Sequence, residues 1–201
     1  MIVRLLTLTA LIIFSLPARA YAQAVQTQAE QAPAPESFQL SVSLGATQAT
    51  DLWSGTLGAD VGVALSSSLW LGGGATALLR TLNGGMLRAG EPGELRAGFG
   101  GAWLAWRSRE PQGLTSRLEP RLRVGGGHII LTDPVTGIRA DAQSFLTVEP
   151  ELALRMIRLG PVDSSIEARW RFVSGLDDLP GFTAGDIDGL HISLRSRLFI
   201  H

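Results

Sequence analysis

The chain has 201 residues, a formal net charge of −1 and a pI near 6.3, so we expect no general attraction to nucleic acid and no nucleic-acid partner. It contains no cysteine, which excludes disulfides and lipid attachment through an N-terminal cysteine. Charged residues make up 17% of the chain, against roughly 25% in an ordinary soluble domain. The length fits one β-barrel or sandwich domain, and the low charge with 24 glycines fits a membrane barrel.

Residues 1–24 have the pattern of an export signal, with a positive start at Arg4, an apolar run over residues 5–16 and small residues at the cleavage region. A membrane anchor is the alternative, but the run is short for a helix that spans a bilayer, which needs about 20 residues. Residues 25–37, rich in Gln, Ala and Pro, are predicted to form a flexible tether. The folded domain is therefore expected over residues 38–201.

In eight segments of strand length, apolar residues alternate with polar or small ones or form a continuous run. This pattern predicts β-strands, because successive side chains of a strand point to opposite faces. The predicted strands cover residues 38–44, 57–65, 69–79, 95–105, 118–130, 146–156, 166–172 and 190–200. Their lengths are close to the roughly 9 to 11 residues that cross a bilayer at a tilt. The odd-numbered connections, beginning with residues 46–56, are long and the even-numbered ones are mostly shorter, as in outer-membrane barrels.

The segment 117–124 carries a charge at every odd position and an apolar residue at every even one, counting its proline as apolar, and later strands repeat this pattern. A soluble barrel would turn the charged face outward, whereas an outer-membrane barrel turns it inward. Small residues occupy the corresponding face of the first half: Ser41, Ser43, Gly58, Gly62, Gly72, Gly74, Gly98 and Gly100. Because they leave room for long side chains opposite, we expect the charged face inside. Trp103, Trp170 and Phe172 are expected on the apolar face.

Hairpin pairing predicts a network of ion pairs on the charged face. A loop centred near Thr136 sets Arg121 opposite Glu151 and Arg123 opposite Glu149. A turn near residue 160 then sets Arg169 and Arg171 beside the same two carboxylates, and a turn centred on residue 181 pairs Glu167 with Arg195. The predicted network consists of Arg121, Arg123, Glu149, Glu151, Glu167, Arg169, Arg171 and Arg195. Eight strands leave an interior that side chains fill, so we expect a plugged barrel with at most a narrow pore.

Four arginines gather towards the predicted periplasmic mouth: Arg117, Arg155, Arg195 and Arg197. Guanidinium groups there can bind phosphate, another anion or lipid head groups. Structural pairing with carboxylates is the alternative for the same residues.

With its export signal, alternating strands and loop asymmetry, the chain resembles the small eight-stranded outer-membrane β-barrel proteins, which include porin-like barrels and the OmpA-type transmembrane domain. The resemblance covers residues 38–201. It implies an all-β, antiparallel, up-and-down transmembrane barrel in the outer membrane of a Gram-negative cell envelope, in contact with lipid and recognised by the barrel assembly machinery. In that family the last strand commonly ends in an aromatic residue. Here Phe199 lies on the charged face and His201 is terminal.

For function, we expect a structural or interaction role through exposed loops that a protein partner can bind, without catalytic residues, metal or cofactor. One alternative is a soluble exported barrel that binds a small apolar ligand, which requires the charged face outside. Another is a lipid-modifying enzyme, since some barrels of this kind are lipid A deacylases. His191 and Ser193 form the only His-x-Ser motif, and no fitting acid follows it.

Overall fold

The computed structural model describes residues 38–49, 52–79, 82–86, 92–108, 113–176 and 182–200. The predicted signal peptide (1–24) and tether (25–37) lie outside the described residues. Among the described residues, no helix is long and apolar enough to cross a membrane.

The described chain forms nine β-strands and two single-turn 3₁₀ helices. The strands are β1 (Phe38–Ala49), β2 (Leu52–Ala64), β3 (Leu69–Leu78), β4 (Leu82–Met86), β5 (Pro92–Trp106), β6 (Leu118–Thr132), β7 (Arg139–Leu159), β8 (Val162–Ser174) and β9 (Gly189–Ile200). The 3₁₀ turns lie at Thr115–Arg117 and Ala184–Asp186.

The sheet closes into a barrel because β1 pairs with both β2 and β9, and β3 pairs with β5. The short strand β4 continues the line of β3 along β5, where Ala77 lies opposite Gly98 and Leu82 opposite Leu95. The barrel therefore has eight strand positions, of which the third is interrupted, and every pairing is antiparallel. The predicted eight-stranded up-and-down barrel is confirmed.

Four pairs of strands are connected at one end of the barrel, called here the loop end: β1–β2, β4–β5, β6–β7 (residues 133–138) and β8–β9. The opposite end, the terminal end, holds Phe38 and Ile200 and the connections β2–β3, β5–β6 and β7–β8. The predicted long connection over residues 46–56 is wrong, since β1 and β2 pair residue by residue up to Ala49 opposite Leu52. In this hairpin, inward-facing and outward-facing side chains still alternate, with Thr47, Ser54 and Thr56 facing inward. These inward residues are polar but uncharged, so the alternation is harder to recognise in the sequence.

The two faces of the barrel wall differ sharply in polarity. Large apolar side chains point outward on every long strand; Val42 and Leu44 on β1, for example, are 56% and 61% exposed. On the inner face, by contrast, the side chains of Arg121 and Glu149 are 1% and 0% exposed. The charged face therefore lies inside, as the sequence predicts. In a soluble β-protein the charged face points outward and the apolar face inward.

The predicted orientation of β5 is wrong. Trp103 is buried inside the barrel at 1% exposure, while Gly98 and Gly100 face outward. This stretch has apolar or small residues on both faces, so its alternation gives no polar reference. Space decides the orientation: the Trp103 ring occupies the positions where a side chain at Gly62 or Gly72 would lie.

The interior is charged along most of its length and carries an apolar cluster near each end. Near the loop end, inward residues of β5, β6 and β7 pack with Leu176, Phe182 and Ile187 of the 175–188 connection. Near the terminal end, Trp70 packs on Phe199, with ring centroids 5.8 Å apart.

Gly72→Ala should destabilise the barrel, since the added Cβ would meet both the Trp103 ring and the Val61 carbonyl oxygen. We expect a loss of about 1–3 kcal/mol in the free energy of unfolding, typical of overpacking. Gly73→Ala is the matched control, because its Cβ would meet only the Gly101 carbonyl oxygen at 3.5 Å. Urea unfolding of the detergent-folded protein measures both, and equal losses would contradict the tight packing of Trp103.

Candidate functional site

The charged interior is the candidate functional site. Asp60 on β2 is one of the carboxylates that bind several arginines there. Its Oδ1 lies 2.7 Å from Arg123 Nη2, and its Oδ2 lies 3.2 Å from Arg195 Nη2 and 3.7 Å from Arg121 Nη1. These arginines belong to β6 and β9, so Asp60 links three strands across the lumen. The carboxylate fits because Gly74 on β3 has no side chain; a Cβ there would overlap the Asp60 carboxylate.

A second junction is Glu119 on β6, which is fully buried. Its carboxylate lies 2.7 Å from Arg107 Nε, 3.1 Å from Arg121 Nη2 and 2.6 Å from Arg197 Nη1. Charge-assisted hydrogen bonds of this length are among the stronger polar contacts in proteins. Glu119 therefore joins the terminal end of the lumen to its centre.

The ladder between β6, β7 and β8 has the predicted register. Arg121 is the cross-strand partner of Glu151, Arg123 that of Glu149, and Glu151 that of Arg169. Arg121 Nε lies 3.4 Å from Glu151 Oε1, and Arg123 Nε lies 3.9 Å from Glu149 Oε2.

The guanidinium of Arg169 reaches along the barrel to Glu149 at 3.3 Å, although Glu151 is its cross-strand partner. Arg171 binds the same carboxylate at 2.7 Å. Glu149 therefore accepts ion pairs from arginines on both neighbouring strands.

The predicted pairing of β8 with β9 is wrong by two residues. Glu167 lies opposite Ser193 instead of Arg195, so the hairpin is not centred on residue 181. The expected ion pair still forms, because Arg195 reaches diagonally to place Nη1 2.8 Å from Glu167 Oε1. The same Nη1 lies 3.2 Å from Glu151 Oε1.

The four arginines predicted near the periplasmic mouth separate into two groups. Arg117 is exposed at the end of a 3₁₀ turn. Arg155, Arg195 and Arg197 are buried and paired with carboxylates; Arg155 Nε lies 3.1 Å from Asp163 Oδ2. Binding of an anion or a lipid head group by this set stays a prediction.

Aromatic rings cover several of the buried guanidinium groups. Arg121 lies over the Trp103 ring at 4.3 Å from its centroid, and Arg171 lies over Phe99 at 3.6 Å. Arg107 lies between Trp70 and Phe199, at 4.8 and 4.7 Å. Such cation–π contacts stabilise arginine where water is excluded.

Four charged members of the network are absent from the sequence-based prediction: Asp60, Arg107, Glu119 and Asp163. Asp60 alternates with Gly58 and Gly62, and Glu119 holds an odd position in the alternating segment, so periodicity alone places both inside. Arg107 and Asp163 fall in predicted connections, where the sequence offers no face assignment.

The His-x-Ser motif lies inside the barrel. His191 is fully buried, and its Nε2 lies 2.8 Å from Thr56 Oγ1 and 3.2 Å from Arg169 Nη2. Ser193 Oγ lies 3.2 Å from Glu167 Oε2. The hydrogen bonds of this His and this Ser therefore go to different partners. Within the described part of the chain, no group of three His, Cys, Asp or Glu side chains is arranged to hold a metal ion.

No protein-family model and no curated protein matches the sequence. The structure is similar to the crystal structure of Neisserial surface protein A, with a TM-score of 0.58 and 9% identity over 81% of this chain and 96% of that one. The fold is that of a small outer-membrane β-barrel.

The barrel is also similar to Ail, the attachment invasion locus protein of Yersinia pestis, crystallised with the heparin analogue sucrose octasulfate. That match has a TM-score of 0.50 and 11% identity over 82% of this chain and 97% of Ail. At these identities the likeness shows the outer-membrane barrel fold and leaves the activity to be argued from the residues.

Asp60→Asn should destabilise the outer-membrane barrel strongly, because it removes the carboxylate that Arg121, Arg123 and Arg195 all contact. Breaking a buried ion pair from one side costs about 3–5 kcal/mol, measured as the change in urea unfolding in detergent. Asp141→Asn removes the same charge from an exposed position on β7 and should change stability little. Equal effects of the two substitutions would contradict a structural role for the network.

Proposed function

We propose that the protein is an integral outer-membrane barrel that does not conduct ions and that acts through the hairpins displayed at its loop end. The observation that carries this proposal is the inverted polarity of the wall: charged side chains are buried and paired across the lumen, while large apolar side chains face outward. An outward apolar band suits the acyl chains of a bilayer.

The filled lumen supports a role other than that of a channel. Asp60 and Glu119 join arginines from opposite parts of the wall, so their ion pairs cross the space that a pore would need. Near the loop end, the apolar cluster with Leu176, Phe182 and Ile187 adds a second obstruction. A solute would have to break several buried contacts to pass.

The loop end offers an ordered surface for a partner. In the 133–138 connection, Asp133 accepts hydrogen bonds from the backbone N–H of Val135 at 2.8 Å and from Thr136 Oγ1 at 2.7 Å. The hydrogen bonds from the Thr136 hydroxyl and from the backbone N–H of Val135 lower the pKa of the Asp133 carboxyl and hold the turn. Val135 and Ile138 are 87% and 67% exposed at its tip. Exposed apolar side chains at a hairpin tip offer a partner protein apolar surface to bury.

The proposal has three further parts, which rest on the barrel fold and on the sequence pattern of residues 1–24. Outer-membrane lipid contacts the apolar exterior, the barrel assembly machinery inserts the chain, and a cleaved signal peptide over residues 1–24 exports it. We propose no enzymatic activity, since the hydrogen bonds of His191 and Ser193 are made inside the wall to different groups.

Two measurements test the proposal. Folded in detergent or lipid, the protein should migrate differently on a gel when unboiled and boiled, and the shift should be missing without detergent. In planar bilayers, the folded protein should give no current steps above background. A monomeric β-protein in plain buffer would contradict the membrane assignment, whereas stable conductance steps would contradict the closed lumen.

A further inference from the structure

The buried interior holds more positive than negative charge among the described residues. Eight arginines and six carboxylates are buried there, which leaves two excess cations, eight minus six. At the centre of the lumen, the charges of three arginines are balanced by those of three carboxylates: Arg121, Arg123 and Arg195 with Asp60, Glu151 and Glu167. Arg155 is balanced by Asp163. The excess falls at two places, where a single glutamate binds two further arginines: Glu149 with Arg169 and Arg171, and Glu119 with Arg107 and Arg197.

The first excess has a further carboxylate close by. Asp188 at the loop end interacts electrostatically with Arg171 and accepts a hydrogen bond from the backbone N–H of Val173. At Glu119, which binds Arg107 and Arg197, the other nearby carboxylate is Asp163, opposite Arg197, and it already pairs with Arg155. The uncompensated charge therefore lies near the terminal end.

Hydrogen-bond donors without partners gather at the same place, which we call the lower corner. It is formed by Gln39, Ser41, Arg107 and Arg197, all more than nine-tenths buried. Atoms of the lower corner that lack a hydrogen-bond partner are Gln39 Nε2, Ser41 Oγ, Arg107 Nη1, Arg197 Nε and Arg197 Nη2. Buried donors of this kind are rare in native proteins and call for an explanation.

The side chains of the lower corner contact one another or a shared carboxylate. Arg107 Nη2 donates to Gln39 Oε1 at 2.9 Å, and Arg107 and Arg197 both bind Glu119. Ser41 is the cross-strand partner of Arg197 on the inner face. The five unpaired donor atoms therefore belong to side chains that lie next to one another.

We propose that the lower corner binds one small inorganic anion. A single negative charge balances the excess cation beside Glu119, and an anion accepts hydrogen bonds from amide, hydroxyl and guanidinium donors alike. The four side chains of the lower corner are almost fully buried, which favours a small anion over a bulky organic one. This site is independent of the partner surface proposed above.

Unfolding in different anions tests the site. The detergent-folded protein should unfold at a higher urea concentration in sodium chloride than in sodium gluconate at equal ionic strength. Because only the native state would hold the anion, the midpoint should rise with the logarithm of the chloride concentration. Equal midpoints in the two salts would overturn the proposal.

Gln39→Glu gives the sharper comparison, because it places a carboxylate in the lower corner in nearly the same volume. This variant should be as stable in gluconate as in chloride. Gln48→Glu adds the same charge at an exposed position on the same strand and should keep the chloride dependence of the unmodified protein. Chloride dependence retained in Gln39→Glu would overturn the assignment.

A direct measurement covers the case in which Gln39→Glu does not fold. Crystals of the unmodified protein grown in bromide should give an anomalous peak within hydrogen-bond distance of Arg107 and Arg197. Data that show bromide elsewhere but none at the lower corner would overturn the proposal.

Discussion

The rest of the structure depends on one electrostatic constraint: a charge inside a narrow barrel is stable only with an opposite charge beside it. Arg121 and Arg123 on β6 meet Glu151 and Glu149 on β7, and Asp60 closes the same network from the far wall. A slip of one residue in β6 or β7 would bury apolar side chains and expose these charges on the outer face. The ion pairs therefore fix the register of these strands.

Side-chain volume follows from the same constraint. Long arginines on one half of the wall need small residues on the other, and the glycines of β2 and β3 provide this space. Gly74 accommodates the Asp60 carboxylate, while Gly62 and Gly72 accommodate the Trp103 ring. The filled interior is a consequence of this division between large and small side chains.

The sequence predicts most of the fold because charges alternate with apolar residues along the second half of the chain. It fails where that reference is missing. The strand around Trp103 has no polar face, and the β1–β2 hairpin alternates without charge. The long connection between β8 and β9 does not show from its sequence which residues of these two strands pair. Contacts across the lumen, such as Asp60 with Arg195, join strands distant in sequence, so only the closed barrel reveals them.

The central claim is that the charged face lies inside and the apolar face lies against lipid, and tryptophan quenching tests it most directly. Trp170 faces outward at 47% exposure, whereas Trp103 is buried in the lumen. Two variants, each with one of these as its only tryptophan and Phe at the other positions, are folded into bilayers of lipids with brominated acyl chains. Strong quenching of Trp170 and weak quenching of Trp103 is the predicted result, and equal quenching or the reverse order would contradict the account.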